Sequence, residues 1–476
     1  MSIVRMYDIR GIYGKELTDD YAYNLGIRLV NYLNSVSQSP TLEVLVGYDA
    51  RRSSPALHDK LVEAISKAGA NVVSVGMTTS GVISTLDKME KPDASVMITA
   101  SHNPPEYNGF KIIVNGQALY GDLLAEVANY SDIVFSGVDR GSIGSYPELI
   151  NNLYVPAIVR EFKNRQSEID IINTLELAID CANGSAGPVL QDVLDRLGLN
   201  IELTLKEPDG SFPVHPPDPS KEDNWVHIKS HYLDTKMLFM IDGDGDRVGV
   251  MTNEGTLLKG DKVLSIIAEA SSSRAMDNTI LLDVKSSELV REHIKSLGYR
   301  VRYHQTGHSL IKKSMNGDKL IAMAGEESGH LYIRDEFFGV DDAVYNLLRF
   351  LFDSVKLGAH ANLESYLNSR MPRTYTLSLK FNVSDNLKPK VMERVAQKVV
   401  DYAESLAGEV ITIDGVRANF HEGWFILRQS NTEPYIGANI ETYEEDKLGD
   451  IRKVLSDLVT EAIAKEEELS GPVKSK

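Results

Sequence analysis

The sequence predicts an α/β protein: three tandem α/β domains with mixed sheets, followed by a C-terminal α+β domain. Two features predict it. A plan of apolar strand, turn, amphipathic helix, glycine and second strand recurs at three widely separated places, and the pattern changes after about Pro372. The first copy runs from residues 42–46 through a helix over 56–67 to Gly69 and 72–75. The second has 175–179, a helix ending at Gly198, and 201–205. The third has 279–282, a helix over 288–297, Gly298 and 301–303. Glycine just past a helix supplies the left-handed turn without a side-chain clash, and such units read as right-handed crossovers. Recurrence favours tandem domains, with one large sheet as the alternative. Beyond Pro372, Tyr375, Leu377, Leu379 and Phe381 alternate, a helix is expected over 391–406, and short strands follow. The expected domains are 1–145, 146–240, 241–369 and 370–476, with the polar end 465–476 expected to fray.

Composition narrows the function. The 476 residues are 42% hydrophobic and 25% charged, which argues against wholesale disorder. A formal net charge of −18 repels polyanions, so nucleic acid is not an expected partner, while small anionic ligands need only a local cluster of donors. The lone Cys181 excludes an intramolecular disulfide and a thiolate metal cage, and fits a reducing compartment. No apolar run approaches the ~18 residues of a membrane helix, and the opening residues lack a signal-peptide layout. A soluble, cytoplasmic protein with no membrane partner is expected. The sequence leaves monomer and homo-oligomer open.

Four polar motifs each follow an apolar strand, where loops in α/β proteins converge on ligands. Thr99-Ala100-Ser101-His102-Asn103-Pro104-Pro105 offers a hydroxyl that can hold or attack a phosphoryl group, with His102 beside it; a plain polar turn is the alternative. Asp242-Gly243-Asp244-Gly245-Asp246-Arg247 sets three carboxylates in six residues, which repel unless a cation sits among them. Oxygen ligands suit Mg²⁺ or Ca²⁺. An EF-hand loop fails, because its required sixth glycine and twelfth glutamate are Arg247 and Asn253. Gly325-Glu326-Glu327-Ser328-Gly329-His330 suits sugar hydroxyls, though such a stretch is also an ordinary loop. Arg428-Gln429-Ser430-Asn431-Thr432-Glu433-Pro434 makes a cup of charge-assisted donors for a phosphate dianion, or an ordinary turn. Neither a P-loop nor a Rossmann glycine motif is present, which disfavours nucleotides bound in those ways.

Together these motifs resemble the α-D-phosphohexomutase family, specifically its phosphomannomutase/phosphoglucomutase branch, along nearly the whole chain. The resemblance implies domains arranged around a central active-site cleft. It implies that Ser101 carries the phosphoryl group and that Asp242, Asp244 and Asp246 bind Mg²⁺, with a phosphoserine oxygen of Ser101 completing the site. Glu326 and Ser328 would read sugar hydroxyls, and Arg428, Ser430, Asn431 and Thr432 would grip the non-reacting phosphate. Tyr7, Arg10, Lys111, Arg247, Lys285 and His308 fall at further active-site positions, and His330 and Lys111 are the candidates for general acid/base. Gly245 and Asn431 favour mannose or glucose phosphates over glucosamine phosphate, while Glu327 does not discriminate. The expected reaction interconverts hexose 1-phosphate and hexose 6-phosphate through a hexose 1,6-bisphosphate, which is both intermediate and activator. Phosphoglucosamine mutase is the alternative, with a Mg²⁺-dependent sugar phosphatase and a non-catalytic sugar-phosphate-binding protein more distant. Excluding water from a phosphoserine calls for closure of the fourth domain, with a hinge expected at 370–373.

Overall fold

In the computed structural model, which describes residues 3–37, 39–131, 139–232, 236–406, 408–430 and 434–470, the apolar segments assemble into four separate sheets rather than one. By its contacts the chain forms two units, one of Met1–Ile280 and Gly307–Glu364, the other of Leu281–Thr306 and Ser365–Lys476. The chain therefore passes between units three times, and the expected hinge segment 370–373 lies inside the second unit.

The first unit opens with a mixed sheet of β1 (Ile9–Ile12), β2 (Glu43–Tyr48), β3 (Asn71–Met77), β4 (Ala94–Ile98), β5 (Tyr107–Val114), β6 (Gln117–Ala118) and β7 (Ile143–Ser145). Their order is β1-β5-β4-β2-β3-β7, with β6 on β5; β2 runs parallel to β3 and β4, and β5 antiparallel to β4 and β1. Leu25, Leu29 and Leu33 of the helix Asp19–Val36 join Leu57, Leu61 and Ile65 of the helix Ser54–Lys67 in one core with Val44, Val46, Val96 and Ile98. The apolar spacing of four residues puts each set on a single helix face.

The second sheet holds β8 (Leu177–Asp180), β9 (Glu202–Thr204), β10 (Met237–Ile241), β11 (Val248–Thr252) and β12 (Leu257–Leu258), in the order β12-β11-β10-β8-β9. This corrects the expected boundary at 240/241. The run 248–252 returns antiparallel on β10, so the acidic loop is a hairpin turn within the second sheet and not the start of a third domain. The third copy of the plan follows as β13 (Thr279–Asp283), the helix Glu288–Ser296 and β14 (Arg300–His304); β15 (Ile321–Gly325) then pairs antiparallel with β16 (Leu331–Ile333).

The second unit carries an antiparallel sheet of β17 (Tyr375–Asn382), β18 (Glu409–Ile411), β19 (Val416–Phe420), β20 (Gly423–Gln429) and β21 (Tyr435–Thr442), ordered β17-β21-β20-β19-β18. Val391, Val395, Val399 and Ala403 lie four residues apart on the helix Lys388–Ser405 and pack with Phe425, Leu427 and Ile451. The end expected to fray is helical as far as Ser470, within Glu445–Ser470. Lys465 pairs with Glu468 at 2.8 Å, and the buried Glu466 receives Arg394 Nε at 2.8 Å; residues 471–476 lie outside the described residues. Among the described residues no helix is long and apolar enough to cross a membrane.

Asp342 joins three elements of the first unit. It caps the helix Ala343–Lys356 by accepting from Tyr345 N–H at 3.1 Å, and it accepts from Tyr154 O–H at 3.0 Å and Thr85 O–H at 3.3 Å. Burial raises its carboxyl to about 6, above the ordinary value of about 3.9. The native state thus holds this proton more tightly than the unfolded chain. The resulting stability is complete below the ordinary value and is lost as pH rises through the native one. Asp342→Asn keeps the capping oxygen and removes that dependence. Urea unfolding of both proteins should show the variant gaining on the parent by about 2–3 kcal/mol from acidic to neutral pH. A difference that stays flat with pH contradicts this account.

Candidate active site

Strand β4 is buried along its length, and its C-terminal end delivers Thr99, Ala100 and Ser101. Ser101 has φ +51°, in the left-handed region that costs a side-chain-bearing residue about 1–3 kcal/mol. The surroundings over-determine it. Fully buried Arg51 spends all five guanidinium N–H groups here: Nη2 on the carbonyls of Ser101 and Asn103 (both 2.6 Å), Nη1 on those of Pro104 (2.7 Å) and Tyr107 (3.0 Å), and Nε on Asp49 Oδ2 (3.1 Å). Asp49 also accepts from Thr99 Oγ1 at 2.7 Å, and Thr99 Oγ1 in turn accepts from Ser101 N–H at 2.8 Å.

Ser101 Oγ donates to Asp242 Oδ2 at 2.9 Å and lies 3.2 Å from His102 Nδ1. The turn between β10 and β11 aims Asp242, Asp244 and Asp246 at one point, with one oxygen from each within 4.8 Å of the others and all three side chains buried. Asp242 Oδ1 accepts from the N–H groups of Asp246 (3.0 Å) and Arg247 (3.1 Å), which fixes the turn. Glycine is needed twice. Gly245 has φ +70° and a Cβ there would stand 2.6 Å from Thr79 Cγ2, while a Cβ on Gly243 would come 2.8 Å from the Ser101 carbonyl oxygen.

Lys111, on β5, lies 2.6 Å from Asp244 Oδ2 and 2.5 Å from Asp246 Oδ2. Arg247 Nε lies 3.1 Å from Asp242 Oδ2, and Arg247 Nη1 is 3.2 Å from Asp218. Burial and the charges of Asp246 and Asp244 push Asp242 well above the usual carboxylate range. Burial works against the Lys111 ammonium, but Asp244 and Asp246 outweigh it and raise Lys111. Asp244 Oδ1 and Asp246 Oδ1 are buried with no hydrogen-bond donor. Hard oxygen donors left over in a cluster richer in carboxylates than cations are what a divalent ion requires. The residues fit such an ion.

Beside this cluster Tyr7, His308, His330 and Tyr332 form a row, with successive ring centroids 5.8, 5.9 and 6.5 Å apart. Burial holds His308 well below its ordinary value and takes His330 down to about 3; the Arg247 charge and burial take His102 down to about 2. All three imidazoles are therefore neutral near pH 7. Arg10 donates to Asn103 Oδ1 at 2.7 Å and pairs with Asp8. Glu326 and Ser328 lie between β15 and β16. Glu326 is buried and accepts from Gly307 N–H (2.8 Å) and Tyr332 O–H (3.2 Å), so it fixes the approach to His308; Ser328 is half-buried.

These residues all lie in the first unit. The second unit holds the rest of the candidates. Lys285 Nζ is 3.5 Å from Asp283, Arg428 Nη2 is 2.7 Å from Asp414, and the Ser430 carbonyl accepts from Lys388 at 2.6 Å. Asn431 and Thr432 lie outside the described residues. Sequence reasoning missed Asp49 and Arg51, although they too follow an apolar strand. It also missed Lys312 and Asp341, which pair at 2.5 Å with Asp341 Oδ2 3.7 Å from His330 Nδ1; no local pattern marks these two.

Lysine at position 51 has three donors for five acceptors, and each acceptor left buried and unpaired costs about 1–3 kcal/mol. Arg51→Lys should lower unfolding free energy by about 2–5 kcal/mol and lower turnover at least about tenfold. Urea unfolding and steady-state assay check this, and unchanged turnover would show that the Ser101 loop does not depend on Arg51.

Models of the phosphoglucomutase/phosphomannomutase family match along the chain: alpha/beta/alpha domain I over 1–131, domain II over 152–255, domain III over 259–373, and the C-terminal domain over 379–458. The chain is 34% identical over 460 residues to a phosphomannomutase/phosphoglucomutase of Pseudomonas aeruginosa, covering 95% of this chain and 94% of that protein. It is 32% identical over 457 residues to a phosphoglucomutase of Neisseria gonorrhoeae, covering 95% of each. A solved phosphoglucomutase/phosphomannomutase family protein from Burkholderia thailandensis superposes with TM-score 0.82 at 30% identity, over 97% of both chains. An Aspergillus fumigatus N-acetylphosphoglucosamine mutase, solved with GlcNAc-6P and magnesium, shares the fold at TM-score 0.58 and 16% identity, over 80% of this chain and 92% of that one.

Proposed function

The chain belongs to the phosphoglucomutase/phosphomannomutase family, whose members transfer phosphate intramolecularly, and we propose that it interconverts the 1- and 6-phosphates of mannose, glucose or both through phosphorylated Ser101. One observation carries the residue assignment. The Ser101 hydroxyl is held in a left-handed turn 2.9 Å from Asp242, beside a carboxylate trio with two unpartnered oxygens.

Phosphorylated Ser101 gives its phosphoryl group to the free hydroxyl of a hexose monophosphate; the hydroxyl oxygen forms the new P–O bond as the bond to Ser101 Oγ breaks. The hexose 1,6-bisphosphate then turns end for end and returns its other phosphoryl group to Ser101. Asp242, Asp244 and Asp246 would hold Mg²⁺, which supplies positive charge to the phosphoryl oxygens when bound. Lys111 and Arg247 add fixed charge at the same place, where preorganised donors are worth most. His330, whose Nδ1 lies 3.7 Å from the carboxylates of Asp246 and Asp341 that would stabilise its imidazolium, is the proton acceptor for the attacking hydroxyl. Arg428 and Lys285 bind the phosphate that does not react, and Ser328 meets sugar hydroxyls.

Phosphorus NMR of the protein with mannose, glucose and glucosamine 1-phosphates in parallel, with Mg²⁺ and a trace of hexose bisphosphate, should show the 6-phosphate of mannose or glucose. Release of inorganic phosphate as the main product would identify a phosphatase instead. Ser101→Ala should abolish isomerisation. Arg428→Ala should raise KM at least about tenfold while Ser101 remains phosphorylatable by intact mass.

Removal of divalent ions should stop turnover. Adding Mg²⁺ should raise the unfolding temperature of the parent but not of Asp244→Asn, because an ion bound only by the native state stabilises it. An equal rise in both would place the ion elsewhere.

A further inference from the structure

Lys285 lies on the loop between β13 and the helix Glu288–Ser296, in the segment Leu281–Thr306 that belongs to the second unit. The side chain that ties this loop down is Arg417 on β19, fully buried. Its Nη1 donates to the carbonyl of Val284 at 2.8 Å and to that of Ser286 at 2.7 Å, one on each side of Lys285. Its Nε donates to Asn419 Oδ1 at 2.7 Å, Nη2 stands 3.6 Å from Glu288, and the guanidinium lies between the rings of Trp424 (3.9 Å) and Tyr303 (4.3 Å). A second tie follows at once in the chain: Ser287 Oγ donates to Glu441 Oε1 at 2.6 Å, an oxygen that also accepts from Trp424 Nε1 at 2.9 Å.

Sheet geometry connects this grip to Arg428. Arg417 is the register partner of Ile426 on the neighbouring strand β20. Side chains two apart share a face, and so do cross-strand partners, so Arg417, Trp424, Ile426 and Arg428 all project from one face of the sheet. Val284 packs against Trp424 and Ile426 on that face. The Lys285 loop is thus docked on the sheet surface from which Arg428 emerges.

We propose that Arg417 is a positioning residue: by gripping the carbonyls flanking Lys285 it fixes that ammonium relative to Arg428, so the two cations form one preassembled phosphate-binding set. The proposal rests on the reading of Lys285 as a substrate-binding residue. A loosely held loop would have to be ordered at each binding event, which lowers affinity. A lysine at 417 has no planar fork to reach both carbonyls and Asn419 together.

The test is a double-mutant cycle on KM for the hexose 1-phosphate that the protein turns over, using Lys285→Ala, Arg417→Met and both together, with hydrogen exchange of the 284–287 amides alongside. Each single change should raise KM about tenfold with a smaller change in kcat, and the double variant should match Lys285→Ala alone, because Arg417 acts through Lys285. Amides 284–287 should lose protection in Arg417→Met while the β19–β20 ladder keeps its own. A double variant whose KM rises by the product of the two effects, about a hundredfold, overturns the proposal and leaves Lys285 a substrate residue. If Lys285→Ala leaves KM and kcat at parental values, the reading of Lys285 itself has failed, and the proposal with it. Should Arg417→Met not fold, Ser287→Ala severs the second tie to the same loop, and the same cycle with Lys285→Ala gives the same pair of outcomes.

Discussion

Three carboxylates on a single hairpin turn, each nearly without solvent, impose the condition to which the first unit's site conforms. At about 4 Å and an effective dielectric near 20, two like charges repel by about 4 kcal/mol, before the cost of taking each out of water. Asp242, Asp244 and Asp246 can sit together only because cations reach them. Lys111 arrives from β5 and Arg247 from the same turn. The backbone of the turn contributes as well, through two N–H groups on Asp242 Oδ1. What remains without a hydrogen bond, one oxygen each of Asp244 and Asp246, is the electrostatic opening that a divalent ion would complete.

The serine that faces this cluster is held by a second buried charge arrangement of opposite character. Arg51 turns the carbonyl oxygens of one loop inward around a single guanidinium, and Asp49 balances its charge. A left-handed non-glycine residue persists only where its surroundings leave no alternative. Close contact between the two loops, with Gly243 against the Ser101 carbonyl, then sets the hydroxyl within hydrogen-bond reach of Asp242. Both networks bear on Ser101, because one fixes the hydroxyl and the other fixes the charge it meets.

In the second unit a buried guanidinium again does the organising. Arg417 gathers carbonyls from a loop more than a hundred residues earlier in the chain, and its aromatic neighbours Tyr303 and Trp424 exclude water from those bonds. A planar five-donor cation is well suited to this, since it stays charged when buried and can reach several carbonyls from one rigid fork. Arg51 and Arg417 play parallel parts in the two units: neither faces solvent, and each holds a loop that carries a candidate reactive or binding side chain.

The sequence alone determined the strand–helix–strand plan, the separate C-terminal domain and the motif loops at strand ends. These depend on local periodicity, on glycine placement and on like charges crowded within a few residues. It misjudged the second domain's extent, because an apolar strand returning as a hairpin looks locally like the opening of a new unit. It also could not show that Glu326 turns both oxygens toward Gly307 and Tyr332, or that Lys285 shares a unit with Arg428. Only the tertiary structure decided these points, along with the roles of Arg51, Asp49, Asp341 and Arg417. The partners of a buried charge are chosen by folding across long sequence separations, and no pattern of neighbouring residues records that choice.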